Sequence, residues 1–146
     1  MLVSDLMTRN VVTAPPSCTA AEASRLLHVH NIGALPVTTG GRLVGMITDR
    51  DITVRCVAAN FDPNITRVRT VMSTGTVTAS ADQSPVEAAR LMGQKQVRRL
   101  PVTENGRLVG MLSQGDLANA ADRSGETAQA FRAVFDQLRT AEAVDP

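Results

Sequence analysis

An eleven-residue sentence occurs twice in this chain, as GRLVGMITDRD at Gly41–Asp51 and as GRLVGMLSQGD at Gly106–Asp116. Laying residues 3–52 on 68–117, an offset of 65 without gaps, gives 20 identities in 50 columns. Unrelated stretches would give roughly 3 at ordinary residue frequencies, so the repeat is genuine. It constrains the fold more than any other feature. A copy of about 50 residues is too small to bury an adequate core alone. Two copies are therefore expected to bury a shared face and to pack with pseudo-twofold symmetry.

The identities cluster where structure is demanded. Val12-Thr13-Ala14 returns as Val77-Thr78-Ala79, Leu35-Pro36-Val37-Thr38 as Leu100-Pro101-Val102-Thr103, and Glu22-Ala23 as Glu87-Ala88. In copy one, Val11–Thr13 reads as a short strand. Thr19, with Glu22 three residues on, reads as a capping box opening a helix from about Ala20 to His30, whose face is Ala23, Leu26, Leu27 and His30. Ala34–Val37 and Arg42–Thr48 flank Thr-Thr-Gly-Gly, a hairpin signal. A second helix is expected over about Arg50–Ala59. Copy two repeats the order, strand, helix, strand, strand, helix. The fold class is thus α/β. The expected divisions are repeat 1 at 1–60, a polar linker broken by Pro63 at 61–67, repeat 2 at 68–122, and a tail at 123–146. In the tail, Phe131, Val134, Phe135 and Leu138 at i, i+3, i+4, i+7 predict an amphipathic helix, docking on its own core or a twin subunit, with a binding helix for a foreign partner as the alternative.

Composition removes several function classes. Of 146 residues, 43% are hydrophobic and 20% charged, which suits a globular fold. The net charge of +1 gives no field that would draw nucleic acid or an anionic membrane, and no aromatic residues interleave with Arg67, Arg69, Arg98 and Arg99 for base stacking. No apolar run approaches the roughly 20 residues needed to span a bilayer. Asp5 stands where an apolar leader core would start, and Cys18 and Cys56 belong to no CxxC or Cys/His cluster. The expectation is a cytoplasmic chain with free thiols. His28 and His30, two apart on a helix, point to different faces and predict no metal pair. No GxSxG, HExxH, SxxK or Walker A loop is present. No His stands in a defined relation to Cys18. The chain therefore reads as no enzyme; an adenylate hydrolase is set back by the missing nucleophile and base.

The repeated sentence itself carries the chemistry. Thr48 lies at a strand-to-helix junction, where its hydroxyl and the free N–H groups of the next turn can meet a phosphate. Asp51, three residues on, can accept both hydroxyls of a ribose. The same residues also make a good N-cap and a good first-turn acid for the helix dipole. What favours a ligand is that Thr48/Asp51 and Ser113/Asp116 persist in both copies while the helices behind them drift.

On these residues the chain resembles a tandem pair of CBS domains, a Bateman module. GMITDRD (Gly45–Asp51) and GMLSQGD (Gly110–Asp116) both fit that family's G-hydrophobic-x-[Ser/Thr]-x-x-Asp signature, and the likeness covers 3–120. IGALPV, GMITDRDI, DPN and QVRRLPV narrow it to the stand-alone bacterial pairs of the hypoxic response protein type. The resemblance implies two βαββα-type repeats and two clefts for adenine nucleotides such as AMP, ADP or ATP, sometimes S-adenosylmethionine or NAD. It implies no required cofactor, a homodimer, and an unidentified protein partner that reads the ligand state.

Carried over residue by residue, site one would use Thr8, Val11, Val12, Thr13, Ile47, Thr48 and Asp51, with Arg98 and Arg99 at the phosphates. Site two would use Ser73, Thr76, Val77, Thr78, Leu112, Ser113 and Asp116, with Gly33 and Ala34 where site one has its arginines. Val12, Ile47, Val77 and Leu112 would form apolar walls. The arginine asymmetry makes site one the expected binder and site two weak or empty. The rival expectation is a ligand-independent dimeric scaffold of the stress-response kind.

Overall fold

Paired caps start the long helix of each repeat. Thr19 Oγ1 accepts from the Glu22 N–H at 3.1 Å and Ser84 Oγ from the Glu87 N–H at 3.2 Å. In a computed structural model, which describes residues 1–121, the chain runs α1 (Val3–Leu6), α2 (Ala20–His30), β1 (Ala34–Thr39), β2 (Arg42–Thr48), α3 (Asp49–Ile52), a π-helical turn (Thr53–Val57), α4 (Val68–Val71), β3 (Ala79–Ser80), α5 (Pro85–Lys95), β4 (Arg99–Glu104), β5 (Arg107–Ser113) and α6 (Gln114–Ala121). The expected helix around Phe131–Leu138 lies outside the described residues. Asn31 and Gln96, both left-handed, end α2 and α5. Gly40-Gly41 and Asn105-Gly106, all at positive φ, turn the two hairpins, as two-residue loops with matched twist require.

The chain divides into two compact units interleaved in sequence. The first holds Val12–Thr76 and Gly106–Leu108; the second holds Met1–Val11, Val77–Asn105 and the described chain from Val109. Segments of both repeats thus enter each unit. In the first unit β1 and β2 pair antiparallel, Leu35 opposite Ile47 and Pro36 opposite Met46, with a bulge after Val37. Residues 106–108 join it through Leu43 N–H to Gly106 O and Leu108 N–H to Gly41 O. The first unit's core is Leu35, Val37, Ile47, Leu27, Ile52, Cys56 and small alanines, and it includes Val68 and Val71 from the second repeat's start. In the second unit β3 lies parallel to β4, which neighbours β5. Leu100, Val102, Leu112, Leu117 and Met92 form that unit's core, joined by Val3 and Met7 from the first repeat's start.

Three expectations are corrected. The strand at Val11–Thr13 shrinks to one parallel bridge, Ala14 to Val37, because Pro15 and Pro16 follow and prolines donate no ladder bond. The helix expected over Arg50–Ala59 is a short α-turn continued by a π-turn, with Ala58 N–H bonded to Thr53 O. His30 is exposed and does not belong to the buried face of α2, which is Ala20, Ala23 and Leu27.

Candidate functional site

Thr48 ends β2 in extended conformation, and the chain turns directly into α3. Two reciprocal bonds set the turn. The Asp51 N–H donates to Thr48 Oγ1 at 3.0 Å, and the Thr48 N–H donates to Asp51 Oδ2 at 3.0 Å. The second unit repeats it: Asp116 N–H to Ser113 Oγ at 3.1 Å, and Ser113 N–H to Asp116 Oδ2 at 2.8 Å. Both capping readings of these residues are therefore realised. They leave chemistry over. An N-cap hydroxyl that accepts an N–H keeps its own hydrogen to donate, and Asp51 keeps Oδ1, which faces Arg55 Nε at 4.0 Å. The Asp51 side chain is only 14% exposed, so any bond to it forms largely out of water.

Beside each box runs an extended segment. Met46 and Ser73 exchange backbone bonds of 2.9 and 2.8 Å in the first unit; Thr8 and Met111 exchange bonds of 2.8 and 2.9 Å in the second. Glycine allows the approach. A Cβ at Gly45 would stand 2.7 Å from the Ser73 carbonyl oxygen and 2.8 Å from Met72 Sδ; one at Gly110 would stand 2.5 Å from Met7 Sδ and 3.0 Å from the Thr8 oxygen. The repeated glycine of the sentence thus admits a neighbouring backbone.

The structure exchanges two residues relative to the expected sites. Thr8 sits beside the strand leading to Ser113 and Asp116, and Ser73 beside the strand leading to Thr48 and Asp51. Each initial segment needs a strand edge for its backbone groups, and finds it on the other copy's hairpin strand. The expected walls Ile47 and Leu112 are fully buried in the two cores. Alternation explains this: Met46 shares a face with Thr48, and Met111 with Ser113, while Ile47 and Leu112 face the other way. Met46, Met111 and Arg55 are not among the expected site residues. Val12 and Val77 pack, half-buried, against the cores of the first and second unit. Thr13 and Thr76 lie in the first unit, Val11 and Thr78 in the second. Among the described residues Thr76 Oγ1 is buried without a hydrogen-bond partner. Gly33 and Ala34 enter β1, and Gly33 O accepts from the Asp49 N–H at 3.1 Å. Arg98 and Arg99, both exposed, enter β4, where Arg98 O accepts from the Gln114 N–H at 2.8 Å.

The other titratable candidates take no part in the reciprocal bonds of these boxes. Burial, then the Glu22 charge, pushes the Cys18 thiol up, so it stays protonated rather than becoming a nucleophilic thiolate. Cys56 is also a buried free thiol. His28 and His30 are exposed in the last turn of α2. Among the described residues no three His, Cys, Asp or Glu side chains gather as a metal site, and no helix is long and apolar enough to cross a membrane. A pocket of about 310 Å³ between α2 and α3, floored by Leu27, Ile32 and Ile52, contains no predicted site residue.

The chain is a duplicated α/β unit with a Ser/Thr–Asp box at the same β-to-α junction in each copy. The chain belongs to the CBS domain family, whose profile matches residues 3–57 and 68–123. It is 46% identical over 116 residues to the CBS domain-containing protein YhcV of Bacillus subtilis, covering 80% of this chain and 82% of that protein. Hypoxic response protein 1 of Mycobacterium tuberculosis is 36% identical over 115 residues, 78% of this chain and 80% of the relative. The solved structure of Hypoxic Response Protein I with two coordinated zinc ions superposes with a TM-score of 0.76 at 34% identity, over 82% of this chain and 98% of that one. CBSX2, solved in complex with AMP, gives a TM-score of 0.72 at 27% identity, over 84% of this chain and 96% of that one. CBS pairs are regulatory modules, generally without catalysis of their own.

Proposed function

We propose that this chain is a regulatory sensor of an adenosine nucleotide, of the AMP, ADP or ATP class, working through self-association or a partner surface. The observation that carries the reading is the doubled box. In each unit a Ser/Thr hydroxyl and an Asp carboxylate are fixed by the backbone beside an extended segment, Ser73 or Thr8. The Asp would take the ribose hydroxyls, the Ser/Thr hydroxyl and helix N–H groups the phosphate, and the neighbouring segment the base through its main chain. The buried, unpartnered Thr76 hydroxyl in one such segment supports a hydrogen-bonding ligand there. Arg98 and Arg99 are the cations this reading reserves for phosphate. The AMP complex of CBSX2, and a protein MJ0100 CBS pair solved with 5′-methylthioadenosine and S-adenosylmethionine, support the ligand class.

The second reading is a ligand-independent dimeric scaffold. It is favoured by exposed apolar side chains after the first box: Val54, Val57, Phe61 and Ile65, between 50% and 73% exposed. A thermal-shift screen of AMP, ADP, ATP, S-adenosylmethionine and NAD separates the two. A sensor is stabilised by about 2.7 kcal/mol at ligand 100-fold over its dissociation constant. A scaffold keeps one melting temperature across the whole screen, and that result would remove the sensor reading. Light scattering during the same titration reads the self-association half; a single-chain mass throughout removes it.

A further inference from the structure

The Arg55 side chain reaches both the first box and the segment beside it. It lies in the π-helical turn, four residues after Asp51. Its Nη1 donates to the carbonyl oxygens of Val71 at 3.2 Å and Met72 at 3.1 Å, and its Nε lies 4.0 Å from Asp51 Oδ1. The two carbonyls are those of Val71, the last residue of α4, and of Met72, its C-cap, immediately before Ser73. Cations at a helix C-terminus satisfy such carbonyls well. On the other side, Asp51 Oδ2 is already held by the Thr48 N–H, so Oδ1 is the oxygen left to a ligand, and it is the one that Arg55 faces.

We infer that Arg55 is a positioning residue that aims the free carboxylate oxygen of Asp51 and holds the Met72–Ser73 segment at the distance a ribose needs. This rests on the adenosine reading above. The planar guanidinium makes the link possible, because it presents donors in a fixed fork, and a point-charge ammonium does not. At 4.0 Å, and with Arg55 half exposed, the ion pair alone would be worth little. Here the same group is anchored by two carbonyls, so its position is set independently of Asp51. The repeat supplies a built-in comparison. The position 65 residues on is Ala120, so the Ser113–Asp116 box has no guanidinium from this position. The two boxes therefore share their caps and differ in this tie.

The test uses the full chain in an Asp116→Ala background, which leaves the first box as the site measured. Calorimetry compares AMP with 2′-deoxy-AMP for Arg55, Arg55→Lys and Arg55→Ala. With Arg55 present, AMP is preferred by about tenfold, the value of one hydrogen bond to a charged group. Arg55→Ala reduces the preference below about threefold, and Arg55→Lys falls between. An unchanged preference in Arg55→Ala overturns the ribose-aiming role. Hydrogen exchange without ligand reads the tie by itself. The Ser73 and Met46 amides exchange at least about fivefold faster in Arg55→Ala, while those of Thr8 and Met111 do not change. Equal exchange in both variants overturns the tie. If AMP fails to bind the parent protein, the adenosine reading falls and takes ribose aiming with it, while the exchange result still decides whether Arg55 holds the segment.

Discussion

Leu35→Ala lowers the stability of the protein by about 2–5 kcal/mol, the range for emptying a fully buried leucine site. Leu35 has no exposed surface and stands in β1 opposite Ile47, equally buried, with Val37 and Ile52 in the same core. Its neighbours cannot collapse into the space easily. Pro36 and the β1–β2 ladder fix the backbone, and the same cluster includes Ala14, Ala20 and Ala23, which have nothing to extend. Leu35→Met keeps the volume and costs less than about 1.5 kcal/mol. Val29→Ala, at a position 74% exposed, stays within about 0.5 kcal/mol and serves as the surface control. Guanidinium denaturation followed by far-UV circular dichroism is the suitable measurement, since the chain has no Trp or Tyr to report by fluorescence. A cost for Leu35→Ala below about 1 kcal/mol would show that the first unit's core is not the cluster described. Leu100→Ala, the same position of the second repeat and equally buried, makes the parallel test in the other unit.

What the chain announces in its sequence is the local part of this architecture. Thr19 and Ser84 cap their helices because short hydroxyl side chains reach the N–H three residues on. The hairpins turn where Gly-Gly and Asn-Gly accept positive φ. The Thr48–Asp51 and Ser113–Asp116 boxes are legible because a hydroxyl and a short carboxylate three residues apart can bond each other's N–H, whereas the box expected at Thr19 and Glu22 forms only its Thr19 half. Three features were not legible, each for a physical reason. Which hairpin strand receives Thr8 or Ser73 depends on long-range pairing, and two copies of one sentence offer equally good edges to both segments. Which strand residue enters the core depends on the face the strand turns inward, and Ile47, expected as a wall, is wholly buried, with Met46 and Thr48 on the opposite face. The π-turn at Thr53–Val57 carries no composition signal. It coincides with burial of Cys56, which leaves no exposed surface, and with the reach of Arg55 to the α4 carbonyls. π-turns inside helices recur at functional sites, and this one directly follows the motif.

The largest effect on binding is expected from the carboxylates. Asp51→Ala removes the group proposed to take both ribose hydroxyls. Two hydrogen bonds to a charge, at about 1.5–3 kcal/mol each, correspond to a loss of about a hundredfold or more in affinity at that site. The same substitution also removes the acceptor for the Thr48 N–H, a cap worth about 1 kcal/mol, so melting without ligand must accompany the titration. Asp51→Asn separates the two roles. Its amide oxygen still accepts from the Thr48 N–H, so the cap survives, but the charge is gone and affinity falls by about tenfold. Asp116→Ala should act on the second box alone. Calorimetric titration of the two single variants then resolves two classes of site, and the double variant, Asp51→Ala with Asp116→Ala, loses the nucleotide-induced melting shift altogether. A folded double variant with the parent's affinity would show that the nucleotide binds elsewhere and that both boxes are only caps. The comparison of the two single variants carries the further information. The duplicated sentence keeps a hydroxyl and a carboxylate in both units, so a difference between Asp51→Ala and Asp116→Ala reads what the copies do not share: Thr48-Asp49-Arg50 against Ser113-Gln114-Gly115 within the boxes, Arg55 and Ser73 against Ala120 and Thr8 beside them, and Arg98-Arg99 against Gly33-Ala34.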